Sequence, residues 1–552
     1  MRELAKSLKV IPLGGLGEFG SNMMVYELDD SAIVVDCGMM FPDPSVLGVD
    51  VLIPDLAYLE MIRDKVSAVF LTHAHEDHIG ALPFLSALLD VPVYGLPLTL
   101  DFVKGKLSEF KSGKVDLRRM TPRELVTAGS FEVEPIHVTH SIVDAVALAI
   151  RTPVGVVFHT GDFKFDLVPI DGRPADIGRI ADYGEKGVML LVSDSTNAIS
   201  SGYSGSEADV EEALEAVFAK APGRIFFTTF ASHIHRIQIV VALAQLFERR
   251  VHFVGRSLIR TVEAAERLGY LRIPREVRVE GDRFADFDDP ELVIICTGSQ
   301  GEPASALARI ARDDHKDIQL RADDTVIFSA RTIPGNERGV MHVIDHVLRR
   351  GAEVVYEQPG THVSGHGYRE ELKTMIRLTK PRSFIPIHGT LLHLVSHAKL
   401  ARDMGIQEED VFVITNGEIV EIDSERGRIL EERAPAGKVF VDEEFEEVPG
   451  IVMRDRQHLG EDGFVIVVAA VDVNTGKLSR DPEIITRGVV HVDASAEILE
   501  DLRTLLIEAM AGKPEELRDI ENVQEMMRSV LRRYFRKRLG RRPMILPVVW
   551  EM

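Results

Sequence analysis

The stretch from residue 71 to residue 80 contains four potential metal ligands, all within six consecutive residues. The apolar run at 66–71 is typical of a buried strand, and residues 81–85 have the pattern of the first turns of a helix. Four such side chains at one strand end would repel or desolvate one another without a cation. The stretch therefore predicts a metal site on a strand-to-helix loop, with the ligands His73, His75, Asp77 and His78.

The spacing of these ligands suits two cations. Side chains two residues apart on an extended chain share a face, so His73 and His75 point the same way, while Asp77 and His78 turn with the helix. The zinc motif HExxH needs two histidines four residues apart on a helix. Here His75 and His78 are three apart with an additional acid between them. The two diverging pairs can therefore hold two metals.

The length and composition of the chain limit the class of protein to which it can belong. A chain of 552 residues exceeds what one hydrophobic core usually supports, so we expect two to four domains. Cys37 and Cys296 offer neither a disulfide framework nor a CxxC knuckle, which fits a reducing cytoplasm. The N-terminus lacks the apolar core of a signal peptide, and no apolar run approaches the roughly 20 residues that span a bilayer. We therefore expect a cytoplasmic protein without membrane contact.

The net charge of -23 is weak evidence against a nucleic-acid partner. Affinity for phosphate normally comes from clustered Lys and Arg, but a few cations in a groove can outweigh a distant acidic surface. The strongest basic cluster lies at 532–542. It is either a solvated helix face or a contact with RNA or with a partner subunit.

A glycine-rich turn near the start imitates a dinucleotide-binding loop. Residues 15–20 read Gly-Leu-Gly-Glu-Phe-Gly, and Asp36 stands close to the position of a ribose-binding acid. Such a loop must open a helix, whereas residues 22–28 and 32–36 have the pattern of a β-hairpin. We therefore expect a turn in an antiparallel sheet.

The order of predicted elements divides the chain into five segments. Up to residue 205, short strands alternate with helical segments, which predicts a mixed sheet sandwich covered by helices. Residues 206–355 alternate regularly between helix and strand, as in an inserted domain with its own parallel sheet. Residues 356–440 return to short strands. An acidic linker at 441–460 then precedes a small α+β domain at 461–552.

His140 and Asp162 each follow a later strand and extend the pattern of ligands. Together with these two residues, the run His-x-His-x-Asp-His resembles the signature of the metallo-β-lactamase superfamily. The resemblance implies an α/β fold, an αββα sandwich with the metals at one edge of its two sheets. Residues 1–205 and 356–440 would form its two parts.

Three further residues resemble the motifs of the nucleic-acid-processing β-CASP branch of that superfamily: Asp194, His366 and His388. A histidine at the third motif is typical of RNA-directed members of the branch. The insert at 206–355 would then be the β-CASP domain. Over essentially its full length the chain resembles the bacterial ribonuclease J family, and the segments that carry this resemblance are 14–18, 229–236, 362–366 and 482–488.

The resemblance implies two divalent cations, Zn²⁺ or Mn²⁺, which nitrogen and carboxylate ligands without thiolate also suit. The ligands would be His73, His75 and His140 for one metal, Asp77, His78 and His388 for the other, and Asp162 between them. The residues implied in catalysis are Asp77, His78, Asp194 and His366. His366 would act as general acid and Asp194 would orient a neighbouring group.

The same resemblance implies a pocket for the 5′ end of single-stranded RNA carrying a 5′-monophosphate. The implied substrate-binding residues are Ser232, His233, Ile234, His362, Val363, Ser364, Gly365 and His366. Such a pocket implies 5′-to-3′ exonuclease action, beside endonuclease action, in RNA maturation and decay, including ribosomal RNA processing and messenger RNA decay. For Ser232 alone, a helix-capping role is an equally good reading.

The family also suggests a homodimer, or a tetramer, and a structural divalent cation at Gly48, Asp50 and Asp442. The acidic run at 442–447 departs from the more glycine-rich linker that such a cation site suggests. Two other functions compete with a ribonuclease. His388 weighs against a DNA nuclease, and the complete ligand set weighs against a scaffold protein without turnover.

Overall fold

The computed structural model describes residues 7–43, 46–110, 113–279, 281–333, 335–442, 446–489 and 495–552. The chain divides into two compact units with separate cores. The larger unit comprises Met1–Phe41 and Val51–Val439, and the smaller unit comprises Pro42–Asp50 and Phe440–Met552. Among the described residues, every helix is too short or too polar to cross a membrane.

The elements are numbered in chain order. The strands are β1 Leu8–Gly14, β2 Met23–Leu28, β3 Ser31–Val35, β4 Val51–Pro54, β5 Val66–Phe70, β6 Val93–Gly95, β7 Leu117–Arg119, β8 Val126–Ala128, β9 Phe131–His137, β10 Val146–Thr152, β11 Gly155–His159, β12 Leu190–Asp194, β13 Ile225–Thr228, β14 Arg250–Val254, β15 Leu292–Cys296, β16 Thr325–Phe328, β17 Glu353–Val355, β18 Ser383–Ile387, β19 Glu418–Ile422, β20 Gly427–Arg433, β21 Lys438–Val441, β22 Phe464–Asp472, β23 Lys477–Arg487 and β24 Met544–Glu551. The helices are α1 Ala57–Met61, α2 Glu76–Ile79, α3 Leu82–Leu88, α4 Pro97–Glu109, α5 Ile177–Lys186, α6 Glu207–Phe218, α7 Ile234–Leu246, α8 Arg256–Leu268, α9 Ala306–Ala311, α10 Glu337–Arg349, α11 Arg369–Thr379, α12 Leu391–Asp403, α13 Gly450–Asp462, α14 Ser495–Met510 and α15 Ile520–Tyr534.

Two mixed sheets form the sandwich of the larger unit. One has the strand order β20-β19-β1-β2-β3-β5-β6-β7, and the other has the order β18-β12-β11-β10-β9-β8. Alternate residues of a strand face opposite sides, so Leu148 of β10 lies in the core between the sheets, while Ala147 faces α5 and α11 on the outer side. The αββα architecture is confirmed.

Strands from both ends of the larger unit complete these sheets. β12 pairs in parallel with β18, and β1 pairs antiparallel with β19, although more than 180 residues separate the members of each pair along the chain. The sandwich is therefore discontinuous in sequence, with an inserted domain between β12 and β18.

The inserted domain has its own five-stranded parallel sheet with the order β14-β15-β13-β16-β17. The strands are short apolar runs that are buried on both faces, as expected where helices cover a parallel sheet. The regular alternation predicted at 206–355 is confirmed, and helix α7 ends within one residue of the predicted position.

The glycine-rich turn near the start belongs to an antiparallel sheet, as predicted. β1 pairs antiparallel with β2, and β2 pairs antiparallel with β3. The turn leads into a strand and not into a helix, which excludes a dinucleotide-binding loop. Gly15, Gly17 and Gly20 have φ of 86°, 80° and 98°, a region that favours glycine.

The smaller unit is an α+β fold, as predicted. Its sheet has the order β23-β22-β24, with β22 antiparallel to β23 and parallel to β24. Side chains of α14 and α15 share an apolar core with this sheet. Strand β24 is absent from the prediction, because its partner β22 lies about 80 residues earlier in the chain and nothing local identifies the pairing.

The predicted linker at 441–460 overlaps a helix, α13, in which no residue is buried. Residues 443–445 of the acidic run lie outside the described residues. Near the predicted structural cation, the Asp50 amide donates to the Val441 carbonyl at 2.9 Å. The Gly48 carbonyl accepts from the Arg456 guanidinium at 2.6 Å. The cation site at Gly48, Asp50 and Asp442 stays a prediction, as do the domain boundaries.

We expect Arg224→Ala to destabilise the inserted domain by about 3–5 kcal/mol, because it leaves a buried carboxylate unpaired. Arg224 donates to Asp324 at 2.9 and 2.7 Å, and both side chains are buried. Denaturant unfolding measures the loss. The control is Arg350→Ala, which removes a solvent-exposed pair with Asp313 and should cost no more than about 1 kcal/mol. Equal losses for the two variants would contradict the expectation.

Candidate metal centre and its surroundings

The motif loop leaves the sheet at the end of β5 and turns directly into α2. His73 and His75 lie on the loop, and Asp77 and His78 lie in α2. Residue 75 precedes the helix with extended backbone (φ -71°, ψ 150°), so the chain changes from extended to helical between the two pairs. His73 and His78 are buried, whereas Asp77 keeps about a third of its side chain exposed.

Backbone hydrogen bonds from the segment after β3 fix this loop. The Cys37 amide donates to the His78 carbonyl at 2.8 Å, and the Met39 amide donates to the Glu76 carbonyl at 3.0 Å. These backbone hydrogen bonds hold the part of the loop that contains Glu76 and His78. Because the backbone is already ordered, less conformational entropy is lost when the ligands bind a metal.

Gly38 belongs to the segment after β3 and lies where that segment approaches the motif loop closely. A Cβ at this position would lie 1.6 Å from the Asp77 carbonyl oxygen, so a side chain there would displace the loop. The Asn22 amide donates to the same carbonyl at 2.9 Å. The glycine at 38 is required by close packing and not by its φ.

The first group of potential ligands contains three imidazoles and one carboxylate. Its ligand atoms all lie within 4.8 Å of one another, and the group consists of His73, His75, His140 and Asp162. His73 Nε2 is 3.0 Å from His75 Nδ1, and His140 Nε2 is 3.2 Å from the same atom. Asp162 Oδ2 lies 3.7 Å from His73 Nε2.

The second group shares Asp162 with the first. It consists of Asp77, His78, Asp162 and His388, again within 4.8 Å. Asp162 Oδ2 is 3.2 Å from His78 Nε2, and Asp77 Oδ2 is 3.4 Å from His388 Nε2. The other oxygen of Asp162 accepts a hydrogen bond from His388 Nδ1 at 2.8 Å. One buried carboxylate therefore serves both groups.

Asp36 orients two of the histidines and is absent from the sequence prediction. It accepts from His78 Nδ1 at 2.8 Å and from the Thr72 amide and hydroxyl at 2.8 Å each. Because the Thr72 hydroxyl gives its proton to Asp36, it accepts from His73 Nδ1 at 3.1 Å. With the proton held on Nδ1, both ring Nε2 atoms have the lone pair that a metal ligand requires. The sequence signal for this role is an acid directly after a buried strand, a pattern that also fits a ribose-binding acid.

The remaining ligands are held by backbone from distant segments. His140 Nδ1 donates to the Gly365 carbonyl at 2.7 Å, which leaves Nε2 for the centre. Gly389, directly after His388, forms bridges with Leu16 and Glu18 of the glycine-rich turn. This turn therefore supports the loop that carries His388.

A third group of potential ligands, Asp162, Asp194, His366 and His388, shares two members with the second group and contains a histidine–carboxylate pair. His366 Nδ1 donates to Asp194 Oδ2 at 2.8 Å, and Asp194 Oδ1 accepts from the Thr196 amide and hydroxyl at 2.9 and 2.7 Å. Burial lowers the pKa of His366, but Asp194 and Asp162 outweigh it and raise the pKa above its usual value. His366 keeps 20% of its side chain exposed, against 2% for Asp194.

The electrostatics of the centre differ between the two groups. Burial lowers the pKa of His75 to about 4, so that imidazole is neutral at neutral pH. Burial also lowers the pKa of His388, but Asp162 and Asp77 raise it more, to about 10. Burial would raise the pKa of Asp77, which His78 and His388 instead hold below its usual range. The neutral imidazole of His75 is ready to bind a divalent cation, whereas His388 must release a proton before it can bind one.

The predicted RNA-binding residues come from two segments that meet near His366. Ser364 Oγ accepts from Asn197 Nδ2 at 2.8 Å and from the His366 amide at 3.1 Å. His362 and Val363 are partly exposed, and Gly365 is buried against His140. The segment 362–366 therefore lies directly on the metal centre.

The other segment is the start of α7. Arg236, fully buried, donates to the Thr361 carbonyl at 3.1 Å and joins α7 to the 362–366 segment. His233 is buried, and its Nε2 lies 3.4 Å from a carboxylate oxygen of Glu207. Ile234 is fully buried, so only its backbone could meet a ligand. Ser232 does not cap α7, because the N-cap residue is His233 and no side chain caps the helix.

Four family models match consecutive parts of the chain. They are the metallo-beta-lactamase superfamily at residues 16–227, the ribonuclease J beta-CASP domain at 222–347, the Zn-dependent metallo-hydrolase RNA specificity domain at 354–414, and the ribonuclease J C-terminal domain at 451–552.

Full-length relatives carry the name ribonuclease J. The chain is 41% identical to the ribonuclease J of Synechocystis over 98% of this chain and 86% of the relative. It is 38% identical to that of Helicobacter pylori over 98% of this chain and 79% of the relative. A solved structure of a protein of unknown function from Enterococcus faecalis shares the fold, with a TM-score of 0.54 at 17% identity over 75% of this chain and all of that one.

We expect Asp36→Asn to lower divalent-metal affinity about 10- to 100-fold, because His78 and His73 lose the carboxylate that orients them. Metal content after dialysis against graded chelator measures the change. Asp30→Asn, in the exposed turn between β2 and β3, is the matched control and should bind metal like the parent. Full metal retention in Asp36→Asn would show that Asp36 does not position the ligands.

Proposed function

The chain belongs to the ribonuclease J family, and from that premise we propose how its metal centre cuts RNA. It is a metal-dependent ribonuclease. We infer two divalent cations, Zn²⁺ or Mn²⁺, and 5′-to-3′ removal of nucleotides from 5′-monophosphorylated single-stranded RNA, with internal cutting as well. The observation that carries the proposal is the buried Asp162, which belongs to both histidine-rich ligand groups and also to a third group that contains the hydrogen-bonded His366–Asp194 pair.

Each of the two histidine-rich ligand groups would hold one cation. His73, His75 and His140 would hold one cation, Asp77, His78 and His388 would hold the other, and Asp162 would contact both. When bound, such a pair lowers the pKa of water and neutralises charge on a phosphate. Asp36 and the Gly365 carbonyl keep the histidine tautomers fixed, so the ligands need no rearrangement.

His366 is the proposed general acid. Asp194 accepts a hydrogen bond from its Nδ1 at 2.8 Å, which fixes the ring and leaves Nε2 for proton transfer. A proton on Nε2 can pass to the 3′-oxygen as the P–O bond breaks, so the leaving group departs as a hydroxyl. Thr196 holds Asp194 in turn. The role of Asp194 is positioning and not direct proton transfer.

The proposed 5′-end pocket uses neutral donors. Ser232, His233, His362 and the backbone of Ser364 and Gly365 would receive the terminal phosphate, since hydroxyls, imidazoles and exposed amides bind anions without many lysines. Nδ1 of His362 has no hydrogen bond from the described residues, and Nε2 of His233 lies 3.4 Å from the carboxylate of Glu207. The fully buried Arg236 keeps the two pocket segments together. Such a pocket reconciles RNA binding with a net charge of -23.

Membership of the family supports a proposal for the compartment, the process and the oligomeric state. We infer a cytoplasmic enzyme of RNA maturation and decay that works as a homodimer or a tetramer. The match of residues 354–414 to an RNA specificity domain, a range that includes His366 and His388, favours RNA over DNA as substrate.

We expect His366→Ala to lower the cleavage rate by about 10² to 10⁴ while both metals stay bound, because only proton donation is lost. Single-turnover cleavage of end-labelled RNA and metal analysis of the same sample measure the two effects. His342→Ala, an exposed histidine on α10, is the control and should match the parent. Loss of metal from His366→Ala would make His366 a ligand and refute its role as acid.

The order of attack is tested with single-stranded RNA and matching DNA that differ only at the 5′ end. With Mn²⁺ or Zn²⁺, we expect mononucleotides from 5′-monophosphate RNA, and little product from 5′-hydroxyl RNA, 5′-triphosphate RNA or DNA. The pocket would bind the terminal monophosphate and has no partner for a hydroxyl end. Equal rates on monophosphate and triphosphate RNA would rule out the pocket.

A further inference from the structure

Apolar side chains lie exposed at the rim of the metal centre, next to the ligand His388. Helix α12 begins three residues after His388, and its first two residues, Leu391 and Leu392, are 59% and 63% exposed. Phe19, from the glycine-rich turn, is partly exposed beside them. Large apolar side chains at the edge of a polar active site usually mark a contact with a ligand or partner.

Two ring contacts and a hydrogen bond fix this rim to the ligand loop. The Phe19 ring lies edge-on to His388, with centroids 6.2 Å apart, and to His393, with centroids 5.2 Å apart. Thr390 Oγ1 lies 2.7 Å from His393 Nδ1. The backbone of Glu18 bridges Gly389, so the turn and the ligand loop form one rigid edge.

Ring contacts from Phe19 to His388 and from His388 to His366 separate the rim from the proposed 5′-end pocket. The pocket segment 362–366 contacts His140, in the first ligand group, through the Gly365 carbonyl. Phe19 contacts His388, in the second ligand group. An RNA with its first nucleotide in the pocket and its first internal phosphate at the centre therefore brings its second nucleotide to the rim.

We propose that Phe19, Leu391, Leu392 and His393 form a subsite for the base of the nucleotide on the 3′ side of the cut. This inference rests on the proposed function and adds the contact that holds the next nucleotide. Aromatic and apolar surfaces accept any base by its flat face, so the subsite places RNA without reading sequence. It also needs no positive charge, which suits a chain with a net charge of -23.

The test compares two 5′-monophosphorylated RNAs that differ only at the second nucleotide, which carries a base in one and is abasic in the other. Loss of one stacked base lowers binding by about tenfold. We therefore expect the parent enzyme to release the first nucleotide from the abasic RNA with a kcat/KM about tenfold lower. Phe19→Ala and Leu392→Ala should cleave both RNAs at similar rates, close to that of the parent on abasic RNA.

Two controls separate contact from structural damage. Phe19→Tyr keeps an aromatic ring and should retain the preference for a base. Leu246→Ala removes a leucine of matched exposure, 62%, at the end of α7 and should also retain it. Metal content is measured for every variant, because a disturbed His388 loop would lower it.

The outcomes are distinguishable from failure of the proposed function. If the parent cleaves neither RNA, the proposed function fails first. If the parent cleaves both RNAs equally well, or if Phe19→Ala and Leu392→Ala keep the full preference for a base, the subsite is refuted. A change in oligomeric state of Leu392→Ala with an unchanged preference would assign the rim to a second copy of the chain and refute it equally.

Discussion

The structure depends on one buried carboxylate, Asp162, that lies between two sets of ligands. Its Oδ1 accepts from His388, and its Oδ2 faces His73 and His78 at 3.7 and 3.2 Å. A carboxylate with only 3% exposure requires compensating positive charge or hydrogen bonds. The sandwich supplies them by ending β5, β9, β11 and β18 at the same edge, so that four separate segments of the chain each deliver a ligand there.

The segment 362–366, which follows the inserted domain in the chain, contacts this centre directly. The backbone of Gly365 holds the tautomer of His140, Ser364 and His366 hydrogen-bond each other, and His366 pairs with Asp194. Arg236 ties the same segment to the start of α7. The same loop therefore contributes to the proposed phosphate pocket and orients a metal ligand. Binding of an RNA end in the pocket would thus be coupled to the geometry of the centre.

How much the sequence could predict depends on the range of the interactions involved. The loop with His73 and His78 is local, and its spacing alone predicts diverging ligands between a strand and a helix. The positions of His140, Asp162 and His388 required a family resemblance, because β-sheet pairing across an insert is not visible in spacing. Asp36 was missed because it acts only through a contact between β3 and the motif loop, and Ile234 was included although burial leaves it only a backbone role.

The most direct test of this account is electron paramagnetic resonance of the protein titrated with Mn²⁺. If Asp162 joins two sites, the chain binds two Mn²⁺ ions and, at full occupancy, gives the broadened spectrum of an exchange-coupled pair. A single bound ion per chain, or two ions with the spectra of isolated Mn²⁺, would contradict the shared carboxylate on which the account depends.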